Sequence, residues 1–357
     1  MEIVRLFSLF GVLCIIISCS STQKKEIETT GKVIKIDVSG KITENFPDIA
    51  QSISMLKLEE SNEYPIGEIK KILLTNRKIY ILDQQGAKSV FTYNRNGTLE
   101  NVIHHVGLGV GEYVSPDDMD LDKESNNIVI LDKNIRKLLF YSEEGKFLSD
   151  LRLDFYVNAF TVKNGNFIID KGNDVYKRTD FNYITILNRN ADNIANVLPI
   201  PDFLNQMAIS PNNPLQQLKD TVLYMPSLNN AIYKIYDNMI EKKYDIDFGA
   251  KWPKRDFFEQ RKNDHIGKIA NDIANNGYVG FLNFLESNTY LHLNFYYNDR
   301  NSCVWYFYNK TTGQSIMFRN TNKDISQPVA VEETTFVCVR YTENSNPFLV
   351  FFDLKWE

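Results

Sequence analysis

Histidine is the first side chain to consider for metal or acid–base chemistry, and the sequence contains four, including one adjacent pair, His104-His105. Neighbouring residues of a strand point to opposite faces, so this pair does not converge on one metal ion. His292 lies in an apolar run typical of a core strand, and His265 lies in a segment with helical spacing. Because no HExxH, GxSxG or CxxC motif is present, the sequence does not support zinc-protease, serine-hydrolase or thiol-redox chemistry.

A glycine-rich run, Gly107-x-Gly109-x-Gly111, has the composition of a dinucleotide-binding turn. Its spacing is not the GxGxxG interval, and no long helical pattern follows it. Since the strand–turn–helix context of a phosphate-binding turn is absent, we predict a structural role for this run. Glycine at these positions permits a tight crossing from one strand to the next.

The elements that position these residues are short strands, and their pattern is repeated. One apolar run ends at Asp83, and a very similar run ends at Asp132, 49 residues later. Each is followed by a second apolar run and by a turn that contains Gly97 or Gly145. This period fits one four-stranded blade of a β-propeller, for which about 40 to 50 residues are typical. The nearly continuous apolar runs indicate sheets buried on both faces by neighbouring sheets.

Looser copies of the repeat begin near residues 165, 221, 289 and 335. The last copy ends after three strands, and its unpaired edge must be covered. A strand near the amino end, at residues 32–38 or 54–58, can complete that blade and close the ring. We therefore predict an all-β fold, a six-bladed β-propeller with four-stranded antiparallel blades. A solenoid or a pair of β-sandwiches is the alternative architecture.

Two inserts interrupt the repeat. Residues 199–214 are rich in Pro and Asn and predict a surface loop. Between blades 4 and 5, residues 253–276 place Phe258, Ile266, Ile269 and Ile273 at helical spacing. We expect a helix that covers one rim of the propeller, and the alternative is a lid over the channel.

Propellers place function at the channel mouth, which we define as the end of the central channel where the innermost strands begin. Carboxylates and amides at these positions could hold Ca²⁺, which prefers six to eight oxygen ligands. They could equally bind a sugar or form a solvated rim. The candidate residues for this site are Glu68, Lys70, Asp117, Asp118, Asn158, Gln217, Asn283 and Gln327.

The amino end has the features of an export signal. An apolar run at residues 6–17 is shorter than the roughly 20 residues that span a bilayer. It ends in Ile16-Ile17-Ser18-Cys19, which resembles the bacterial lipobox and implies acylation of Cys19. We predict a lipoprotein signal peptide at 1–18, a flexible tether at 19–30 and the propeller at 31–357. An ordinary cleaved signal and an uncleaved anchor are the alternatives.

The composition indicates which classes of partner are not expected and what state the cysteines have. The formal net charge is −5 and the isoelectric point is about 5.6, so a basic nucleic-acid-binding surface is not expected. High contents of Phe (23) and Tyr (19) favour strands. Only Cys303 and Cys338 lie in the folded part, both in apolar runs, so we expect free buried thiols rather than a disulfide.

Several segments resemble a known family. They are Leu58-Glu59-Glu60, residues 66–72 and the turn from Val106 to Tyr113 that precedes Ser115-Pro116-Asp117-Asp118. Together they resemble the six-bladed β-propeller lipoproteins of Bacteroidota, which are related in shape to NHL and TolB-type propellers. Val110 stands where that family usually has proline. The resemblance implies a cell-envelope location at the outer membrane, and the absence of an acidic run after Cys19 favours its periplasmic face.

Three functions are compatible with these observations. The first is a binding or scaffolding propeller for a glycan, a peptide or a partner protein, with no catalytic residue and no cofactor apart from the candidate Ca²⁺. The alternative is a metal-dependent hydrolase, lactonase or lyase, suggested by Asp117 and Asp118 at the channel mouth. The third is a structural subunit of an outer-membrane uptake or secretion assembly.

Overall fold

The computed structural model describes residues 31–173, 180–205, 207, 209, 212–299, 301–343 and 345–356. The strands in this part of the chain form six sheets. The innermost strands of the sheets lie side by side around an axis, and that of the last sheet contacts that of the first. The prediction of a six-bladed β-propeller is therefore confirmed.

The elements follow the chain in order. The amino-terminal segment contains β1 (Lys32–Lys35), α1 (Phe46–Ile49) and β2 (Ala50–Lys57). Blade 1 contains β3 (Ile69–Leu74), β4 (Lys78–Asp83), β5 (Ser89–Asn94) and β6 (Leu99–Ile103). Blade 2 contains β7 (Asp118–Asp122), β8 (Asn127–Asp132), β9 (Lys137–Tyr141) and β10 (Phe147–Arg152). Blade 3 contains β11 (Ala159–Lys163), β12 (Asn166–Asp170), β13 (Asn182–Leu187) and β14 (Asn193–Pro199).

The second half repeats this order with one interruption. Blade 4 contains β15 (Leu215–Leu218), β16 (Thr221–Tyr224), β17 (Ala231–Tyr236) and β18 (Met239–Asp247). A 3₁₀ helix (Gly249–Lys251), α2 (Arg255–Glu259) and α3 (Ile266–Asn275) come next. Blade 5 contains β19 (Gly280–Glu286), β20 (Tyr290–Tyr296), β21 (Cys303–Asn309) and β22 (Ser315–Arg319). Blade 6 contains β23 (Ala330–Glu332), β24 (Thr335–Arg340) and β25 (Phe348–Leu354).

The hydrophobic core is divided into layers, one between each pair of neighbouring blades. Between blades 1 and 2, for example, Leu82 belongs to the same buried cluster as Ile130 and Leu139. Each such side chain contributes about 1.5 to 3 kcal/mol when it is fully buried. A single blade would expose both of its apolar faces, so the blades depend on one another for stability.

The ring is closed by β2, which is the outermost strand of blade 6. It pairs antiparallel with β25, from Ala50 opposite Leu354 to Lys57 opposite Phe348. The second of the two predicted closing segments, residues 54–58, therefore overlaps the closing strand. This pairing joins an amino-terminal strand to the last strand of the chain and gives blade 6 four strands.

The other predicted closing segment, residues 32–38, does not close blade 6. Its strand β1 pairs parallel with β18 and adds a fifth strand to the outer edge of blade 4. Ile34, Ile36 and Val38 are buried in the core layer between blades 4 and 5. The alternating pattern predicts an edge strand but not which edge it joins, because only tertiary packing distinguishes the two positions.

Residues 36–49 connect β1 to β2 across the outer side of blade 5. Thr43 forms an isolated parallel bridge with Phe318 of β22. Its amide donates to the carbonyl of Met317 (3.1 Å), and its carbonyl accepts from the amide of Arg319 (2.8 Å). Residues 32–57, which we call the strap, therefore contact blades 4, 5 and 6.

The helical insert between blades 4 and 5 is confirmed, but Ile266, at the start of α3, is exposed, unlike the other three apolar residues predicted to lie on its packed face. Phe258, Ile269 and Ile273 are buried in the core layer between blades 3 and 4. None of residues 248–279, all of which are described, lines the central cavity. Within the described ranges, no helix has both the length and the apolar character that crossing a membrane requires.

The connector at residues 199–214 differs from the predicted surface loop. Ile200, Leu204 and Met207 are buried in the same layer that receives the helical insert. The prediction was wrong because Pro and Asn mark irregular backbone, which is not always exposed.

Candidate functional site

A cavity of about 970 Å³, lined by both polar and apolar groups, lies within the ring of innermost strands. Twelve of its described lining residues are Asn or Gln, and three are Asp or Glu. Neutral amides therefore dominate the polar part of the surface. The amides that the argument uses are Gln84, Asn213, Gln216, Gln217, Asn283 and Gln327.

Five of the eight residues predicted for the channel mouth line this cavity: Glu68, Lys70, Gln217, Asn283 and Gln327. The other three, Asp117, Asp118 and Asn158, are buried beside it, with 4 to 7% of their surface exposed. The topology thus brings residues that are distant in sequence into or beside one axial cavity, although Gln217 lies close to the turn that ends β15 rather than at the start of that strand. What they bind stays a prediction.

Two carboxylates of β7 join blade 2 to blade 3. Asp118 Oδ2 accepts from the amide of Phe160 (3.1 Å), and Asp120 Oδ2 accepts from the amide of Val162 (2.8 Å). An innermost strand has no neighbour in its own sheet on the channel side, so its buried amides need other acceptors. The alternating Asp residues supply them, and Lys71 Nζ pairs with Asp118 Oδ1 at 2.8 Å.

Two glutamines of β15 connect blade 4 to other blades by hydrogen bonds. Gln216 Nε2 donates to the carbonyl of Glu286 (2.8 Å), and its Oε1 accepts from the amide of Glu286 (2.7 Å). Gln217 Nε2 donates to Asp120 Oδ2 and to the carbonyl of Val162, both at 2.9 Å. The Oε1 atom of Gln217 has no hydrogen-bond partner among the described residues.

A second network crosses the channel mouth from blade 1 to blade 2. Lys70 Nζ donates to Gln84 Oε1 (2.7 Å), and Gln84 Nε2 donates to Asp117 Oδ1 (2.6 Å). Asp117 Oδ2 accepts from the amide of Lys133 (2.8 Å), and Lys133 Nζ donates to Asn158 Oδ1 (3.3 Å). Burial raises the pKa of Asp117, and burial followed by the charge of Lys133 lowers the pKa of Lys70.

Gln84 and Lys133 were not predicted from the sequence. Each directly follows one of the repeated aspartates, Asp83 and Asp132. Because these aspartates end the second strand of their blades, the next residue returns to the channel mouth. The repeated aspartates are therefore the sequence signal from which Gln84 and Lys133 could have been identified.

The repeated aspartates hold the loops at the channel mouth. Asp83 Oδ1 accepts from the amide of Gly86 (2.7 Å), and its Oδ2 accepts from the amide of Gly67 (2.7 Å). Asp132 accepts from four backbone amides, two in the loop that precedes β7 and two in the turn between β8 and β9. Both side chains are fully buried, so these bonds position the loops rather than a ligand.

The glycine-rich run forms a tight turn, and the side chain of Glu112 occupies the space inside it. The amide of Gly109 donates to Glu112 Oε2 (2.7 Å). A Cβ at Gly107 would lie 2.0 Å from Glu112 Oε2, and Gly111 has a φ of +75° with Phe147 against it. The geometry agrees with the predicted structural role.

The histidines do not converge. His104 Nδ1 lies 3.0 Å from the carbonyl of Ala87, His105 stacks on Tyr141, and His265 caps α3. His292 is fully buried, as its apolar run predicted. Among the described residues, no group of three or more His, Cys, Asp or Glu side chains could hold a metal ion. Cys303 and Cys338 are free thiols.

Six antiparallel blades of four strands, with β1 added as a fifth strand to blade 4, surround an axial cavity rich in amides and define a six-bladed β-propeller. The sequence matches the family described as 6-bladed beta-propeller (DUF5128) over residues 22–344, and the chain belongs to this family.

Two solved structures from Bacteroides show the same fold. One, described as an exported protein from Bacteroides fragilis, has a TM-score of 0.77 at 17% identity, covering 92% of this chain and 100% of its own. The other, a DUF4221 member from Bacteroides vulgatus, has a TM-score of 0.57 at 11% identity, covering 86% and 97%. No curated protein matches the sequence. At these identities the likeness shows the fold alone.

Proposed function

We propose that the protein is a non-catalytic binding propeller of the cell envelope that holds a glycan at the channel mouth. The observation that carries this proposal is the amide-rich lining of the axial cavity. An Asn or Gln side chain both donates and accepts hydrogen bonds without a charge. A sugar hydroxyl does the same, so such a lining is matched to a neutral polyhydroxylated surface.

Two tyrosines supply an apolar surface at the same cavity. Tyr296 and Tyr341 both line it, and Tyr296 is 37% exposed. The hydroxyl of Tyr341 accepts from the amide of Ile69 (3.1 Å), which fixes the orientation of the ring. A binding site with aromatic faces beside a few directed polar groups is the usual arrangement for small ligands.

The carboxylates at the channel mouth favour binding over metal-dependent catalysis. Asp118 and Asp120 accept hydrogen bonds from the backbone of blade 3, and both oxygens of Asp117 have protein donors. Ca²⁺ would have to compete with these donors for the same oxygens.

For the location, we propose export and lipid anchoring through Cys19, on the periplasmic face of the outer membrane. Residues 1–30, which include the predicted signal peptide and tether, lie outside the described residues. The exported protein from Bacteroides fragilis has the same fold, which supports an envelope location. Metabolic labelling with a fatty-acid analogue tests the anchor: we expect label on the wild type and none on Cys19→Ser. Label on both would contradict acylation at Cys19.

A glycan array with the purified protein, followed by titration of each bound glycan, tests the binding function. Asn283 is the best position to change, because its side chain lines the cavity and has no hydrogen bond among the described residues. We expect Asn283→Ala to weaken binding about ten-fold or more, as expected when one or two directed hydrogen bonds are lost. The exposed Asn190→Ala is the matched control and should bind like the wild type.

Two results would contradict the proposal. One is an array without any bound glycan. The other is a bound glycan whose affinity is the same in the wild type and in Asn283→Ala, together with unchanged binding in Gln327→Ala, a second lining residue that precedes the innermost strand of the neighbouring blade 6.

A further inference from the structure

Two lysines at the channel mouth lack a paired carboxylate. Lys70 Nζ has Gln84 Oε1 as its acceptor (2.7 Å), and Lys133 Nζ has Asn158 Oδ1 (3.3 Å). Both side chains are partly buried, and neither ammonium group forms an ion pair in the described part of the chain. An ammonium group has three N–H donors, so each of these lysines retains two for a ligand.

Other lysines with similar surroundings are paired. Lys71 Nζ lies 2.8 Å from Asp118, with 11% of its side chain exposed. Lys243 and Lys310 both pair with the buried Glu286, at 2.9 and 2.6 Å. This is the expected arrangement, because a partly buried charge is unfavourable without a partner. Lys70 and Lys133 therefore differ from these three lysines in having only a neutral side-chain amide as acceptor.

Buried carboxylates lie near these two lysines without forming an ion pair with either ammonium group. Asp118 is paired with Lys71, Asp117 accepts from Gln84 and from the amide of Lys133, and the fully buried Asp132 and Asp170 have hydrogen-bond donors of their own. Burial lowers the pKa of Lys70, the charge of Lys133 lowers it further, and Asp118 and Asp117 only partly oppose these effects. An anion beside the ammonium groups would relieve this repulsion.

Lys70 also faces the place where a glycan would lie. It lines the axial cavity, as do Gln84 and the neighbouring Asn213, whose Nδ2 donates to the carbonyl of Lys70 (3.1 Å). Glu68 also lies at this rim, but it is exposed, so water screens its charge. The ammonium group of Lys70 is therefore placed among the amides that would contact sugar hydroxyls.

We propose that the glycan bound at the channel mouth is acidic, and that Lys70, assisted by Lys133, recognises its carboxylate or sulfate group. This inference rests on the proposed function and adds the chemical class of the ligand. Hydrogen bonds between an ammonium group and an anion are shorter and about twice as strong as neutral ones. The amides would then contact the hydroxyls, and the lysines would select the charge.

Matched pairs of oligosaccharides separate the charge from the rest of the sugar. Oligogalacturonates and their methyl esters share one backbone and differ in the carboxylate, and sulfated and desulfated oligosaccharides form a second pair. For the pair that binds, we expect the acidic member to bind about ten-fold or more tightly than its neutral partner. Comparison of the two pairs distinguishes a carboxylate from a sulfate ester.

Three variants test the assignment to Lys70. Lys70→Gln should remove the preference for the acidic member, and Lys70→Arg should retain most of it because the charge is kept. Lys146→Gln changes an exposed lysine that does not line the cavity, and it should bind like the wild type. The melting temperature of Lys70→Gln should equal or exceed that of the wild type, since an unpaired charge is removed.

The outcomes distinguish this inference from the proposed function. Equal binding of acidic and neutral members would overturn the inference and leave the glycan-binding function intact. An acidic preference that persists both in Lys70→Gln and in the double variant with Lys133→Gln would overturn the assignment of the residues. Binding of acidic peptides without any glycan would overturn the inference and the proposed function together.

Discussion

His292 provides a quantitative prediction, because its imidazole lies in the core of blade 5. The ring is fully buried, stacks on Phe307 with centroids 4.6 Å apart, and donates from Nδ1 to the carbonyl of Tyr306 (3.2 Å). Its Nε2 has no partner among the described residues. Burial lowers the pKa of His292 from 6.5 to about 3, with the hydrogen bond to Tyr306 opposing this effect.

The lowered pKa makes folding dependent on pH in a defined direction. Below pH 6.5 the unfolded chain binds a proton at this histidine, whereas the folded protein does not until the pH approaches 3. The free energy of unfolding therefore falls as the pH decreases through this range. Between about pH 7.5 and about pH 5, linkage gives a loss of about 2 kcal/mol from this residue alone.

The assay is urea unfolding of the wild type and of His292→Phe at these two pH values. Phenylalanine keeps an aromatic ring beside Phe307 and cannot be protonated, so the variant should lose about 2 kcal/mol less than the wild type on acidification. His265→Asn is the control: it replaces an exposed histidine by another residue suited to cap α3, and should retain the wild-type dependence. Equal pH dependence of the wild type and His292→Phe would refute the reasoning.

Three further predictions concern the parts that hold the propeller together. Asp132→Asn replaces an acceptor of four backbone amides and should lower the free energy of unfolding by about 1 to 3 kcal/mol in chemical denaturation; an unchanged midpoint would contradict its role in holding the loops. Gly111→Ala places a Cβ 2.5 Å from Phe147 at a φ of +75° and should cost more than about 1 kcal/mol by the same measurement, whereas wild-type stability would show that the turn can relax. Ile34→Ala in the strap should lower the free energy of unfolding by about 2 to 4 kcal/mol in thermal unfolding, whereas Ile53→Ala, which changes an exposed residue, should have little effect. Equal losses of stability in the two variants would contradict the packing of β1 on blade 4.

The architecture could be predicted from the sequence because the repeat reflects a strong physical constraint. Each blade must bury two faces, so its strands read as short apolar runs, and the spacing from Asp83 to Asp132 gives the size of one blade. The closing strand could be predicted because the last copy lacks one strand. The resemblance to NHL and TolB-type propellers stays a prediction.

The position of the strap could not be predicted, because local pattern does not identify a partner edge. Apolar and polar residues alternate along residues 32–38, as they do in any edge strand. The strand pairs with blade 4 because Ile34, Ile36 and Val38 become buried between blades 4 and 5 there. The burial of the connector at residues 199–214 was missed because its Pro and Asn residues were taken to indicate exposure, although Ile200, Leu204 and Met207 recur at a spacing typical of a buried face.

The candidate site could be predicted in place but not in detail. The start of each innermost strand is readable from the repeat, which is why Lys70, Gln217 and Asn283 were identified. The sequence does not show that Asp118 bonds to the backbone of the next blade, because that contact depends on the packing between blades. For the same reason, the unpaired state of Lys70 becomes visible only in the folded structure.

The central claim is that the amide-rich channel mouth is the binding surface. Hydrogen–deuterium exchange of the protein with and without a bound glycan tests it directly, because it reports where the ligand protects backbone amides. We predict protection at residues 66–72, 280–286 and 327–332, which carry lining residues of the cavity, and no change in the outer strands β2, β10, β14 and β22. Protection confined to those outer strands or to the turn at Gly107–Gly111 would contradict the account.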